Sequence, residues 1–212
     1  FACALGVAGH ALALDTRSLA WQTLPILKDA VIVIADSGVR RNLAGSTYNS
    51  LRADCQEAVE RLQTWCSSLT SLRDVTPEFL QAHMAELPER VGRRALHVVG
   101  EMARVEQAIG CLAEGDSVGF GALMLATHAS LRDLYGVSCP ELDLLVDLAA
   151  SHPACYGARL TGAGFGGCTV NLVAQDGLED FVSWLRAAVT EKTGHEIPIE
   201  VCHAVDGANL VV

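Results

Sequence analysis

The stretch Leu160-Thr161-Gly162-Ala163-Gly164-Phe165-Gly166-Gly167-Cys168-Thr169-Val170 places four glycines in six residues and runs straight into an apolar segment. Glycine reaches backbone conformations closed to other residues and has no side chain to hold a ligand away from the main chain. Successive N–H groups in such a loop can cradle an anion, phosphate above all. The structural alternative is a tight turn or a close strand–helix contact that needs small residues. Arg159 to Thr161 and Cys168 to Ala174 read as two strands, so the glycines join strand to strand. That excludes a dinucleotide-binding fingerprint, which opens a helix and needs an acidic residue further along a βαβ unit.

Outward from the loop, Leu178 to Thr193 has helical spacing (Phe181, Leu185, Ala188, Val189) and stops at Gly194. Ile197 to Ala204 reads as a last strand. Upstream, Ser138-Cys139-Pro140-Glu141 has the spacing of a capping box. It opens a helix with Leu142, Leu145, Val146 and Ala149 on one face, ended by His152-Pro153. Three more helices are predicted from a stripe running Leu51 to Leu69, from Ala95 to Ile109, and from Phe120 to Leu134. A short one starts at Thr76-Pro77-Glu78. Near the start, Ala11–Leu14 and Leu19–Leu24 flank Asp15-Thr16-Arg17-Ser18 as in a hairpin, and the β-branched run Ala30 to Ala35 reads as a buried strand. Strands at both ends with helices between predict an α+β fold, a mainly antiparallel sheet with helices on one face.

Composition narrows the function. Half of the 212 residues are apolar and the net charge is −10, with lysine only at Lys28 and Lys192. This is a globular sequence, and its charge argues against nucleic acid as the main partner. No apolar run is long enough to cross a membrane, and no secretion signal is visible. The eight cysteines are scattered and never form Cys-x-x-Cys, which fits free thiols in a reducing, cytoplasmic setting. His97, His128, His152, His195 and His203 lack ligand spacing, so no metal site is expected.

The glycine run resembles the third signature motif of the GHMP sugar and metabolite kinases, in the form typical of galactokinases. Other segments resemble that family in its order. They are His10 to Leu19 with its Asp15-x-Arg17-Ser18-Leu19 turn; Asp36-Ser37-Gly38-Val39-Arg40-Arg41-Asn42-Leu43 followed by Ser46-Thr47-Tyr48-Asn49; and His97-Val98-Val99 with Glu101 and Arg104. Phe120 to Met124, His128 to Leu131 and Val137 to Asp143 complete the set. Arg41, where the family often has His, and Thr47, where Glu is common, depart from it.

The resemblance implies a GHMP-kinase C-terminal domain over 30–212, with 1–29 a remnant of the N-terminal kinase domain (a helix end and the hairpin). It implies transfer of the ATP γ-phosphoryl group to the C1 hydroxyl of galactose, with Mg²⁺ on the phosphates. In galactokinases the segment matching Phe1 to Leu5 follows Met-Asp-Gln, whose Asp is the catalytic carboxylate. The chain is therefore expected to be the C-terminal part of such an enzyme, inactive without its N-terminal half. Two alternatives stay open: a galactose/ATP sensor acting on a transcription regulator, and a kinase for another sugar such as N-acetylgalactosamine.

By the same resemblance Tyr48 contacts the sugar, offering an aromatic face and a hydroxyl; otherwise it is a loop tyrosine packing on the next helix. Arg40 lies near the reacting centre, where a guanidinium stabilises charge on the transferred group; otherwise it is a solvated surface arginine. Gly162, Ala163, Gly164, Phe165, Gly166 and Gly167 form a wall beside the phosphates. Glu141 and Asp143 are assigned to the helix N-terminus, where negative charge is favoured.

Overall fold

The computed structural model describes residues 1–40 and 45–208, with side chains throughout that range except at 45–47. Arg41, Asn42, Leu43 and the side chains of Ser46 and Thr47 therefore lie outside the described residues. In chain order the elements are α1 (Ala2–Leu5), β1 (His10–Leu14), β2 (Trp21–Pro25), β3 (Ala30–Asp36), α2 (Gly45–Leu62), α3 (Pro77–Ala82), α4 (Glu89–Glu114), α5 (Ser117–Ser130), α6 (Pro140–Ser151), β4 (Cys155–Leu160), β5 (Cys168–Ala174), α7 (Leu178–Thr193) and β6 (Ile199–Cys202).

The β-branched run of β3 occupies the interior of a four-stranded sheet in the order β4-β5-β3-β6, every pairing antiparallel. The β3–β5 register sets Val31, Val33 and Ala35 opposite Val173, Asn171 and Thr169. On this face Val33, Ala35 and Val173 pack against Leu145, Val146 and Ala149 of α6 and Phe181, Leu185 and Val189 of α7. Alternation along the strands turns Leu172 and Ala30 to the other face, where they meet Met124 of α5. The fold is the expected α+β with an antiparallel sheet, but helices cover both of its faces where one was expected: α6 and α7 lie on one, and α5, lapping over the β4 edge, on the other.

That overlap rests on two glycines. A Cβ on Gly121 of α5 would collide with the backbone of Tyr156, and one on Gly157 of β4 would collide with the backbone of Gly121. Helix and strand backbones therefore lie in direct contact, which no larger residue allows. Glu101 of α4, ion-paired to Arg104, accepts the Thr127 hydroxyl of α5 at 3.0 Å and joins the two long helices. A second apolar layer, away from the sheet, packs Ala58, Val59 and Leu62 of α2 on Val91, Ala95 and Val99 of α4. The hairpin turn is tied down by two reciprocal ion pairs, Arg17–Asp74 and Arg73–Asp15, both at 2.7 Å. This gives the Asp15-x-Arg17-Ser18 turn a structural role.

Three local readings need correction. The helix expected to reach Leu69 ends at Leu62; the chain turns back and still buries Leu69 beside Leu62, leaving Trp65 to stack on His83. The apolar spacing was real, but a turn carries its last part. The helix expected to Leu134 leaves α geometry at Leu131 and closes with a π-helical turn, Leu131–Tyr135, stopped by Gly136 in the left-handed region. Finally, the capping box at Ser138 does not form. Pro140 fills the first helical position, Cys139 takes the N-cap position without a side-chain capping bond, and the Ser138 hydroxyl donates to Asp143 at 2.5 Å.

Two stability measurements check this packing. Gly121→Ala lowers unfolding free energy by about 2 kcal/mol or more through overpacking. Gly110→Ala, at a position in α4 with no atom within 4 Å of the added Cβ, raises it by about 0.5–1 kcal/mol. Both are read from denaturant melts, and equal effects would refute the α5–β4 contact.

His97 supplies a pH test. It is buried, bonded through Nδ1 to the Ser130 hydroxyl at 2.8 Å and stacked on Tyr135. Burial drives its pKa down to about 4, against the opposing pull of Glu101. The unfolded chain takes up this proton near the ordinary histidine value, so between about pH 6.5 and 4 it binds more protons than the folded one. Stability therefore falls on acidification through that window, by up to about 3 kcal/mol from this group. Melting temperature against pH shows the slope, and His97→Phe flattens it.

Candidate functional site

The glycine loop leaves β4 at Leu160 and enters β5 at Cys168. Gly162, Gly164, Gly166 and Gly167 all have positive φ, and so does Phe165 at 61°. Two carbonyls from distant connectors hold this shape. The Phe165 N–H donates to Val137 O at 2.7 Å, and the Gly167 N–H donates to Val39 O at 3.1 Å. The approach is close enough that a Cβ on Gly164 would strike Val137 O, and one on Gly166 would lie 2.6 Å from Val39 O. Two of the amides that the sequence offered to an anion are thus already committed to protein carbonyls. Gly162 and Gly167 differ: nothing lies within 4 Å of a Cβ built on either, so the side-chain direction is open at both, although the Gly167 N–H and carbonyl are already paired with Val39 O and the Ser37 N–H.

That space is a cleft of about 640 Å³ lined by residues 161–168 together with Asp36, Val39 and Arg40. The β3–β5 register sets Asp36 opposite Cys168, the first residue after the loop, and so carries the end of β3 to the cleft. Arg40 grips Asp36 with two parallel bonds, Nη1 to Oδ1 at 2.7 Å and Nη2 to Oδ2 at 2.5 Å. The Gly38 N–H donates to the same carboxylate at 2.9 Å. The guanidinium, followed by this amide, holds Asp36 below the usual carboxylate range. Burial, and then the negative charge of Asp36, pushes the Cys168 thiol up, which makes it a poor nucleophile. The arginine side chain is 70% exposed, and a guanidinium has five N–H donors of which Asp36 takes two. Arg40 therefore faces the cleft with donors to spare.

The structure thus brings Arg40 and residues 162–167 to one cleft. Tyr48 stands in the first turn of α2, 61% exposed, and is not among the residues lining that cleft. Asp36, Val39 and Val137 line the cleft or hold its loop, and sequence reasoning passed over them. Asp36 stood inside a quoted motif, four residues before Arg40, which was the available signal. Val39 and Val137 act through main-chain oxygens, and no residue type announces that.

A family model described as "GHMP kinases C terminal" matches residues 108–183, covering α5, α6, β4, the glycine loop, β5 and the start of α7. The chain is 46% identical to a galactokinase of Roseiflexus sp. over 207 residues, which is 98% of this chain and 53% of the relative. The chain carries a GHMP kinase C-terminal domain. Its backbone matches the crystal structure of Lactococcus lactis galactokinase complexed with galactose with a TM-score of 0.89 and 35% identity, over 96% of this chain and 53% of that one. A mevalonate kinase of L. major complexed with R-mevalonate shares the fold at 20% identity and a TM-score of 0.57. The chain spans about half the length of the curated relatives it matches.

Within this GHMP domain the glycines are not equivalent, and substitution separates them. Gly162→Ala meets open space and costs only the left-handed strain of about 1–2 kcal/mol. Gly164→Ala adds a collision with Val137 O and destabilises further, with loss of the Phe165–Val137 bond. Denaturant melts of both variants check the order; a reversed order would refute the clamped geometry.

Proposed function

We propose that this chain forms one wall of the active cleft of a galactokinase-type sugar kinase, which transfers the ATP γ-phosphoryl group to the C1 hydroxyl of galactose. The observation that carries the reading is the likeness to galactokinases along nearly the whole chain, with the glycine loop and Arg40 meeting in one cleft. ATP supplies the phosphoryl group. The open side-chain direction at Gly162 and Gly167 fits a phosphate chain passing close by, since no side chain stands in the way. Arg40, oriented by Asp36, directs its remaining N–H groups at charge building on the transferred group. Tyr48 presents its ring and hydroxyl to the sugar.

Mg²⁺ is a different matter. Among the described residues no group of three His, Cys, Asp or Glu is placed to hold a metal ion; since Mg²⁺ is usually held by one or two carboxylates together with substrate phosphates and water, the ion implied by the likeness would be held mainly outside this chain, and no step here runs through it. Among the described residues the cleft also lacks a suitable base. Asp36 is the carboxylate lining it, and Arg40 holds that group ionised with a low pKa, which makes it a weak proton acceptor. The remaining machinery belongs to an N-terminal half of the same enzyme. A groove of about 560 Å³ between the hairpin and α4, with Trp21, Met102, Val105 and Ile109 in its lining, offers that half apolar surface to cover. The eight free thiols suit a reducing cytoplasm, and no helix among the described residues is long and apolar enough to cross a membrane.

The test is a chimera that joins the N-terminal half of the Roseiflexus galactokinase to this chain. Galactose-dependent ADP release is expected from the chimera and none from the 212-residue chain alone. Arg40→Gln in the chimera lowers kcat by about 10²-fold, while Tyr48→Phe acts mainly on KM for galactose. Turnover by the isolated chain would overturn the account of the absent base. Binding of galactose and ATP without ADP release would replace the kinase with a sensor, and release with N-acetylgalactosamine in place of galactose would replace the substrate.

A further inference from the structure

A single buried histidine reaches both ends of the clamp on the glycine loop. His128, near the C-terminus of α5, is 2% exposed. Its Nδ1 accepts the N–H of Leu160 at 3.2 Å, and Leu160 is the last residue of β4 before the loop begins. A ring nitrogen that accepts from a backbone amide carries no proton, so in the neutral ring the proton sits on Nε2. Nε2 then donates to Asp143 Oδ1 at 3.1 Å. The same oxygen accepts the Ser138 hydroxyl at 2.5 Å. Ser138 directly follows Val137, whose carbonyl holds Phe165 in the middle of the loop. Burial opposes protonation of His128 and keeps the ring in the neutral form that this arrangement requires.

We propose that His128 is the positioning residue of the glycine loop. Through Leu160 it fixes where the chain enters the loop; through Asp143 and Ser138 it fixes the carbonyl that grips the loop's centre. His128 touches no cleft atom, and it acts only by holding other groups. The proposal deepens the kinase reading, on which it rests for its effect on turnover, while the clamp itself is a property of the 212-residue chain.

Residue-resolved amide hydrogen exchange on that chain, without substrate, tests the clamp. Ser138→Ala removes one hydroxyl at a partly exposed position. It is expected to speed exchange at Phe165 by tenfold or more, while Gly167, held by Val39, and core amides such as Val173 and Leu185 stay as in the parent chain. His128→Asn keeps an acceptor near the Nδ1 position and gives up the reach to Asp143, so it loosens Phe165 but spares Leu160. His128→Gln keeps the reach to Asp143 and exposes Leu160 instead. Unchanged exchange at Phe165 in both Ser138→Ala and His128→Asn would overturn the proposal, as would a uniform rise across the core amides. The kinase reading is separated from it by the chimera. If Ser138→Ala loosens Phe165 but leaves kcat and KM as they were, the clamp stands and the loop's role as a cleft wall falls.

Discussion

Two backbone hydrogen bonds, from Phe165 to Val137 and from Gly167 to Val39, are the constraint on which the cleft depends. The loop must hold positive φ at most of its positions, and one of these belongs to a phenylalanine. A left-handed residue with a side chain costs about 1–2 kcal/mol, and a net hydrogen bond returns about 1 kcal/mol. The two bonds therefore roughly offset Phe165 and nothing more. Glycine at the remaining left-handed positions is what makes the rest of the shape affordable. The bonds add position: they register the loop against the β3–α2 connector on one side and the α5–α6 connector on the other.

Those connectors are in place because of packing elsewhere. The direct backbone contact between Gly121 and Gly157 seats α5 on the edge of β4, and from there α5 runs on through its π-helical turn to Val137. Two arginines of α4 hold that turn, with Arg93 donating to Asp133 O and Arg94 donating to Leu134 O at 2.5 Å. Asp54 of α2 pairs in turn with Arg90 and Arg94. The helical layer, none of whose described residues lines the cleft, thus sets where Val137 presents its carbonyl. A core of apolar contacts alone would leave this position less well defined, since such contacts are not directional.

Much of the fold could be read from the sequence because it rests on local pattern. The β-branched run of β3, the 3.6-residue spacing of α4 and α7, the Thr76-Pro77 start of α3 and the glycine stops are each decided by neighbours in the chain. The misreadings have another origin. Nothing local says that Ser138 prefers Asp143 to a cap, because the choice depends on which position Pro140 occupies in α6. Nothing local says that Leu69 belongs to a turn, because its burial against α4 preserves the spacing of a helix. The site divides in the same way: the glycine loop is legible in residue types, whereas the delivery of Arg40 and its partner Asp36 to that loop depends on a β3–β5 register set by strands more than a hundred residues apart.

That partner changes what the cleft offers to a phosphate. Among the described residues the charged side chains lining it, Asp36 and Arg40, are joined to each other by two short bonds, so the described wall carries close to no net charge. The chain as a whole is at −10, which would repel a nucleotide triphosphate were it not screened beyond a Debye length of about 8 Å at physiological salt. This half of the site therefore attracts phosphate weakly by long-range force. It contributes space at Gly162 and Gly167, oriented peptide dipoles, and an arginine whose direction is fixed in advance by a carboxylate. Preorganised groups of this kind stabilise charge that develops at one point more than charge already present on the incoming ligand. In the proposed kinase, the positive charge that binds the triphosphate must then come from across the cleft, and Arg40 acts during transfer more than during capture.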